Sequence, residues 1–375
     1  MFGEPSAGEV PWSSVAEEFS GSGDVLCDVD TSQRHDLLAH RGLLYGSEEE
    51  FLASALPFIR DGLNGGDAVC SVSTERTAGW LRRELGTDAS SVEFHESSRW
   101  YQHPVRALAT AHRLVQATIP GGRQLRVLAE PLWVPRGPQE KKEWVRYESL
   151  VNAAFAGTNV AFVCSYDTRV VDPDFVGGLA RTHPEMVVSG HAQPNLGYVE
   201  PEQFNAECNS APLPELPAPA LWLSFHRVNQ LAVLRDFVTS HAFQAGATVQ
   251  STAQFVQAVD EVATNAIEHG GGSGVLQVWP GPESILCQVS DSGAGLRNPL
   301  DGHLPPGHRA ARGRGLWLAR QFSDLVELHS DPEGTTVRLH LDLGEGRTSP
   351  VDSASSSTPQ AQAAPVLVSG GSFRG

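Results

Sequence analysis

The chain has 375 residues, 40% hydrophobic and 19% charged, with a formal net charge of −17. This composition suits two globular domains with tails, and the charge argues against nucleic acid or an anionic membrane as the main partner. Five cysteines (Cys27, Cys70, Cys164, Cys208 and Cys287) lie scattered without CxxC spacing, which fits a reducing compartment and neither a disulfide framework nor a zinc site.

Residues 1–30 are rich in Gly, Ser, Glu and Pro and read as disordered. They lack a basic, apolar leader and no apolar run in the chain reaches the roughly 18 residues of a membrane span, so the expected location is the cytoplasm. From residue 31 to 190 helix-like and strand-like segments alternate. "SEEEFLASALPFIRDGLNGG" begins with a Ser-x-x-Glu capping box at Ser47 and Glu50 and then repeats with helical period. "DAVCSVS", "QLRVLAEP" and "NVAFVCSY" read as apolar strands, and "TAGWLRREL", "PVRALATAHRLVQATI" and "EWVRYESLVNAAFAG" as the helices between them. Strands apolar throughout and separated by helices predict an α/β domain with a parallel sheet covered on both faces.

Residues 191–220 are rich in proline and small residues and read as a linker. A second domain is expected over 221–343. Two helices, roughly Val228–Ala245 and Ser251–His269, precede "GVLQVWPGPESILCQVSD", two strands joined at a Pro-Gly-Pro turn. A loop rich in glycine and proline leads to "GRGLWLARQFSD", a helix opened by glycines, and "LVELHSDPEGTTVRLHLDL" is a hairpin turned at Asp331 to Gly334. The order predicts an α+β domain, an antiparallel sheet with helices on one face. Residues 344–375 are low-complexity and read as a disordered tail.

The only lysines are Lys141 and Lys142 in "QEKKEWVR". A Walker A loop, a glycine-rich-loop protein kinase and Schiff-base chemistry each need a placed lysine. HExxH and GxSxG are also absent, which removes common zinc protease and serine hydrolase signatures.

In "EVATNAIEHG" the apolar residues Val262 and Ala266 continue a core face begun by Phe255 and Val259. Glu261, Asn265 and His269 recur every fourth residue along its edge. "DSGAGL" (Asp291–Leu296) directly follows a strand. There Asp291 can accept a hydrogen bond from an adenine amino group, and Gly293 and Gly295 let the backbone approach a ligand. "GRGL" (Gly313–Leu316) opens a helix, where free N–H groups and the helix dipole favour phosphate. Asn265 offers a neutral oxygen for Mg²⁺, and Glu261, one turn away, is placed to take a proton from an attacking hydroxyl.

These clusters, in this order, resemble the N box, G1 box, G2 box and terminal Gly-Thr of the GHKL (Bergerat) ATPases, and among them the anti-sigma factor serine/threonine kinases. The resemblance covers about 120 residues. It implies a two-layer ATP-binding fold with ATP and Mg²⁺ as cofactors. In it Glu261 matches the general base, Asn265 the metal ligand and Asp291 the adenine-reading carboxylate, with Gly293 and Gly295 beside it. Gly313, Arg314, Gly315 and Leu316 match the phosphate loop, and Thr335 in "EGTTVRL" the threonine near adenine. The lid "RNPLDGHLPPGHRAARG" carries no lysine, so Arg309, Arg312 or Arg314 is left to meet the γ-phosphate. The N-terminal domain resembles the MEDS sensory domain, a degenerate RecA-like module, on "HRGLLYGSEEEFLASALPFIRDGLNGGDAV" and "VCSYD". Its "GLNGGDAV" lacks the lysine and hydroxyl of a phosphate loop, so ATP hydrolysis is not expected there.

His269 reads as a helix cap, and the glycines of "EHGGGSG" as a helix end. His35, His40, His95 and His103 fit no metal spacing, and Cys70 and Cys164 read as small core residues. Trp80, Trp100, Trp133 and Trp144 read as core or surface anchors. The resemblance implies a regulatory serine/threonine kinase under N-terminal sensory control. Its implied partners are a sigma factor, a STAS-type anti-anti-sigma protein and a second copy in a homodimer. The alternatives are a binding-only anti-sigma module and a sensor histidine kinase. The last needs a dimerising helical hairpin that the proline-rich segment does not provide, and His226 in "LSFHRV" lacks the usual acidic neighbour.

Overall fold

A computed structural model of the chain describes residues 38–118, 123–133, 136–217, 221–305 and 314–344. The two tails expected to be disordered lie almost wholly outside these residues, as do His35, Arg309, Arg312 and Gly313.

In the N-terminal half, β1 (Ala39–Tyr45), β2 (Ala68–Ser73), β3 (Val92–Glu96), β4 (Leu125–Ala129), β5 (Val160–Asp167) and β6 (Glu185–Val188) pair in parallel, and β7 (His191–Pro194) adds an antiparallel edge. The order across the sheet is β3-β2-β4-β5-β1-β6-β7. Every residue of β5 is buried, because a central parallel strand is covered on both faces. The connections carry α1 (Glu48–Gly65), α2 (Glu75–Leu85), α3 (Ser97–Trp100), α4 (Pro104–Thr118), α5 (Pro138–Ala154) and α6 (Pro173–Ala180). At the start of α1 the Ser47 hydroxyl accepts from Glu50 N at 3.2 Å, but the Glu50 carboxylate reaches Gly46 N rather than Ser47 N. The expected capping box is therefore shifted by one residue.

The segment read as linker is partly built. It contributes β7 and then α7 (Pro201–Ser210), which packs on α5 and reaches across to the second half. The prolines that suggested a linker include Pro201, which opens this helix at a position where its missing N–H costs nothing.

The second half is an antiparallel sheet in the order β11-β12-β10-β9-β8. Its elements are β8 (Leu221–Phe225), α8 (Leu231–Gln244), α9 (Val249–Glu268), β9 (Gly274–Pro280), β10 (Ser284–Asp291), α10 (Gly315–Phe322), β11 (Leu325–Asp331) and β12 (Gly334–Asp342). Alternate residues (Leu276 and Val278, Ile285, Cys287 and Val289, Val337, Leu339 and Leu341) enter one core with Phe255, Val259, Val262 and Ala266 of α9. That alternation is what a sheet with helices on one face requires. The expected hairpin turn holds, with Asp331 paired to Gly334.

The halves meet through buried polar contacts. From the N-terminal half, Arg106 donates through Nε and Nη2 to the Gln321 carbonyl at 3.0 and 2.8 Å, capping the C-terminal end of α10. Arg320, on the last turn of α10, donates to Glu143 of α5 at 3.3 Å. His303 Nε2 lies 3.1 Å from both Arg320 Nη2 and Arg146 Nη1. Arginine can only donate, so Nε2 is the acceptor and the ring proton sits on Nδ1. Burial, then Arg320 and Arg146, push the His303 pKa well below its ordinary 6.5. No described helix is long and apolar enough to cross a membrane.

Candidate nucleotide site

The polar stripe of α9 follows from helical spacing. Phe255, Ala258, Val259, Val262, Ala263 and Ala266 turn into the core, which leaves Glu261 and Asn265 on the boundary, both half-buried. The N-terminus of α10 comes directly against that edge. A Cβ placed on Gly315 would sit 3.0 Å from Glu261 Oε2 and 3.1 Å from Asn265 Nδ2, so only glycine brings the helix start this close without displacing either side chain. Partial burial, with Asp260 adding repulsion, raises the Glu261 pKa above the ordinary 4.5. His269 is the C-cap of α9; its N–H bonds to Asn265 O at 2.8 Å and its side chain is 76% exposed. That geometry matches the capping role.

Asp291 ends β10 one step further along the same edge. Its Oδ1 accepts from Gly293 N at 2.9 Å and from Thr335 N at 3.2 Å, which locks the carboxylate and ties the strand end to the start of β12. The chain past it turns sharply. Gly295 has φ +74°, and a Cβ there would fall 2.3 Å from the Asp331 carbonyl, so conformation and space both demand glycine. Thr335 Oγ1 lies 3.3 Å from Ser330 Oγ, which accepts from Leu296 N at 2.7 Å. Leu316 is half-buried against the core, and Arg314 is exposed as the N-cap of α10.

The structure thus brings together Glu261, Asn265 and Gly315 at one place, and Asp291, Gly293 and Thr335 at another, joined by the last turn of α9. Sequence reasoning missed Gly270, read as part of a helix end. A Cβ on it would lie 2.5 Å from Asp291 Oδ2, so it makes room for the carboxylate. Helix-ending glycines carry no sequence signal for such a contact.

Residues 39–184 match the family model "MEDS: MEthanogen/methylotroph, DcmR Sensory domain". Residues 226–341 match the model "Histidine kinase-like ATPase domain". Among solved structures, the RsbU and RsbW domains of Rv1364c from Mycobacterium tuberculosis are 22% identical over 33% of this chain and 32% of that one, with a TM-score of 0.26. The alignment thus spans about a third of that chain's length. The search of curated proteins gave no match. The chain therefore joins an N-terminal MEDS domain to a C-terminal histidine kinase-like ATPase domain.

Proposed function

We propose that residues 221–343 bind Mg-ATP and phosphorylate a serine or threonine of a STAS-type anti-anti-sigma protein, alternating with capture of a sigma factor, under control of residues 31–190. The observation that carries this reading is the contact of Gly315 with Glu261 and Asn265. It sets a helix N-terminus beside a carboxylate of raised pKa and a neutral amide oxygen, the group types that phosphate, proton and Mg²⁺ need.

Bound Mg-ATP would supply the phosphoryl group, with the ion offsetting phosphate charge. Glu261 takes the proton of the incoming hydroxyl, and its raised pKa makes it a better base than a free carboxylate. Asn265 would hold the ion through its side-chain oxygen. The N–H groups at the start of α10, with Arg314 before it, would receive the phosphates. Asp291, fixed through Oδ1, leaves Oδ2 to accept from the adenine amino group.

Control by the N-terminal domain is supported by where it grips. Arg106 and Glu143 hold one end of α10, and Gly315 is the other end. Asn209 donates to Pro299 O at 3.1 Å, which ties the lid segment to α7. The histidine-kinase reading has less support: His226 is exposed just past β8, and residues 211–217 before it form no helix.

The test is transfer of radiolabel from ATP to STAS-domain proteins of the native host, identified by pull-down with and without ATP. Transfer by wild type and its loss in Glu261→Gln is the expected result. Nucleotide binding with no transfer to any captured protein would instead establish a binding-only module.

A further inference from the structure

We propose that the MEDS domain holds a zinc ion in a buried site formed by His40, Glu148, Cys164 and His183. These residues come from β1, α5, β5 and the turn before β6, and their ligand atoms all lie within 4.8 Å of one another. Each is at most 3% exposed. The separations are 3.4 Å from Cys164 Sγ to His40 Nε2, 3.5 Å from His40 Nε2 to Glu148 Oε2, and 3.6 Å from His183 Nε2 to Glu148 Oε2. Four ligands at the usual zinc bond lengths sit roughly 3.3–3.8 Å apart along the edges of their tetrahedron. Three of the six edges of the cluster already have that length, and the other three are within 4.8 Å.

The tautomers are set from outside. Asn152 Nδ2 donates to Ser149 O and Thr182 O at 3.3 and 2.8 Å, so its Oδ1 must face His40 Nδ1, 2.9 Å away. An oxygen there requires a proton on Nδ1 and leaves Nε2 with a lone pair. His183 Nδ1 lies 2.8 Å from the Leu179 carbonyl, which can only accept, so in the neutral ring its Nε2 carries a lone pair as well. His40 Nε2 can accept from the Cys164 thiol at 3.4 Å, but the His183 lone pair faces a Glu148 carboxylate oxygen 3.6 Å away in a dry interior. Glu148 Oε2 and His183 Nε2 have no hydrogen-bond partner. A neutral imidazole cannot relieve that arrangement, whereas a cation placed among the four atoms can. Outer hydrogen bonds that orient ring nitrogens inward are also the usual surroundings of a histidine-ligated metal.

The donor set points to zinc. Two imidazoles, a thiolate and a carboxylate suit a tetrahedral d-block ion rather than Mg²⁺ or Ca²⁺, and four protein ligands close the site. On binding, the Cys164 thiol gives up its proton to solvent and its sulfur takes the metal bond. Space has been kept: a Cβ on Gly42 would lie 3.2 Å from the His183 ring and 2.8 Å from Met186 Sδ.

The experiment uses tag-free full-length protein, stripped with chelator and reloaded with Zn²⁺ or Co²⁺. Stoichiometric zinc is expected to survive gel filtration. The Co²⁺ form is expected to show a thiolate charge-transfer band and tetrahedral d–d bands. Cys164→Ser, nearly isosteric, should abolish the charge-transfer band, Cys70→Ser should keep it, and His183→Gln should weaken zinc about 10- to 100-fold. Failure of wild type to retain zinc, or a charge-transfer band that survives Cys164→Ser, would overturn the proposal.

Discussion

The two halves place their polar groups in opposite ways. In the parallel sheet of the N-terminal half, His40, Glu148, Cys164 and His183 are sealed between the sheet and α5. In the antiparallel half, Glu261, Asn265 and Asp291 lie half-buried along the rim of α9. The difference follows from architecture. A parallel sheet covered on both faces has no open face to offer, whereas a sheet with helices on one side leaves the helix edge beside the loops that follow its strands. A rim is suited to substrates that come and go, and a sealed cluster to a resident group or to structure. Between them lies the contact of α5 with α10, where Glu143 and Arg146 stand on the helix that carries Glu148.

The sharpest way to break this contrast is at the rim. Glu261→Ala should cut phosphotransfer by roughly 10²–10⁴-fold while leaving nucleotide binding nearly intact. Single-turnover transfer measured at saturating ATP decides it, and wild-type rates in the variant would remove the base role. The interface comes next. Arg320→Met takes one partner from half-buried Glu143 but leaves Arg146 beside it at 3.3 Å, so the cost stays below the roughly 3–5 kcal/mol of a buried charge left with no partner. Thermal or urea unfolding should show the loss; an unchanged midpoint would mean that the halves do not dock through this pair.

Asp291→Asn keeps the shape of the site but removes the charge, at a cost of roughly 1.5–3 kcal/mol, or about ten- to a hundredfold in nucleotide affinity. Calorimetric titration with an ATP analogue reads this directly, and equal affinity would exclude the adenine contact. The smallest effect concerns pH. His303 faces Arg146 and Arg320, with Glu143 behind both, and is held neutral by burial and by the two cations. Its folded pKa lies below the unfolded 6.5, so the unfolded chain takes the proton first. Stability is therefore complete above that value and falls as pH drops below it, by at most about 1.4 kcal/mol per pH unit. His303→Gln should flatten this part of the acid slope in melting experiments; an unaltered slope would place the acid sensitivity elsewhere.

Much of the ATPase half was legible because its signals are local. Helical period exposed the core face of α9, glycines marked the loops, and Asp331 to Gly334 marked the hairpin turn. Other elements were not. β3 and β8 are each only five residues long, and β8 is apolar in sequence yet an exposed edge strand whose Trp222 is 66% exposed, so length and position, not pattern, hid them. In the stretch read as linker, α7 is short and weakly amphipathic, and its burial comes from packing against α5 and β11, which no local window contains.

From the sequence alone came the order of boxes in residues 221–343, the parallel character of the first sheet and the edge position of Glu261 and Asn265. The sheet and the edge position rest on periodicity or on neighbours within one element, and the order of boxes on a resemblance to the GHKL ATPases. Only the tertiary structure joined His40 to Glu148, Cys164 and His183, which are separated by up to 143 residues of chain. It also turned the prolines before β8 into the flank of a docked helix, and it set Arg106, Glu143 and Arg146 against α10 and the lid. The physical reason is the same in each case. A side chain's value as a ligand, a cap or a latch depends on what the fold brings within a few ångströms of it, and spacing along the chain carries that information only inside a single helix, strand or turn.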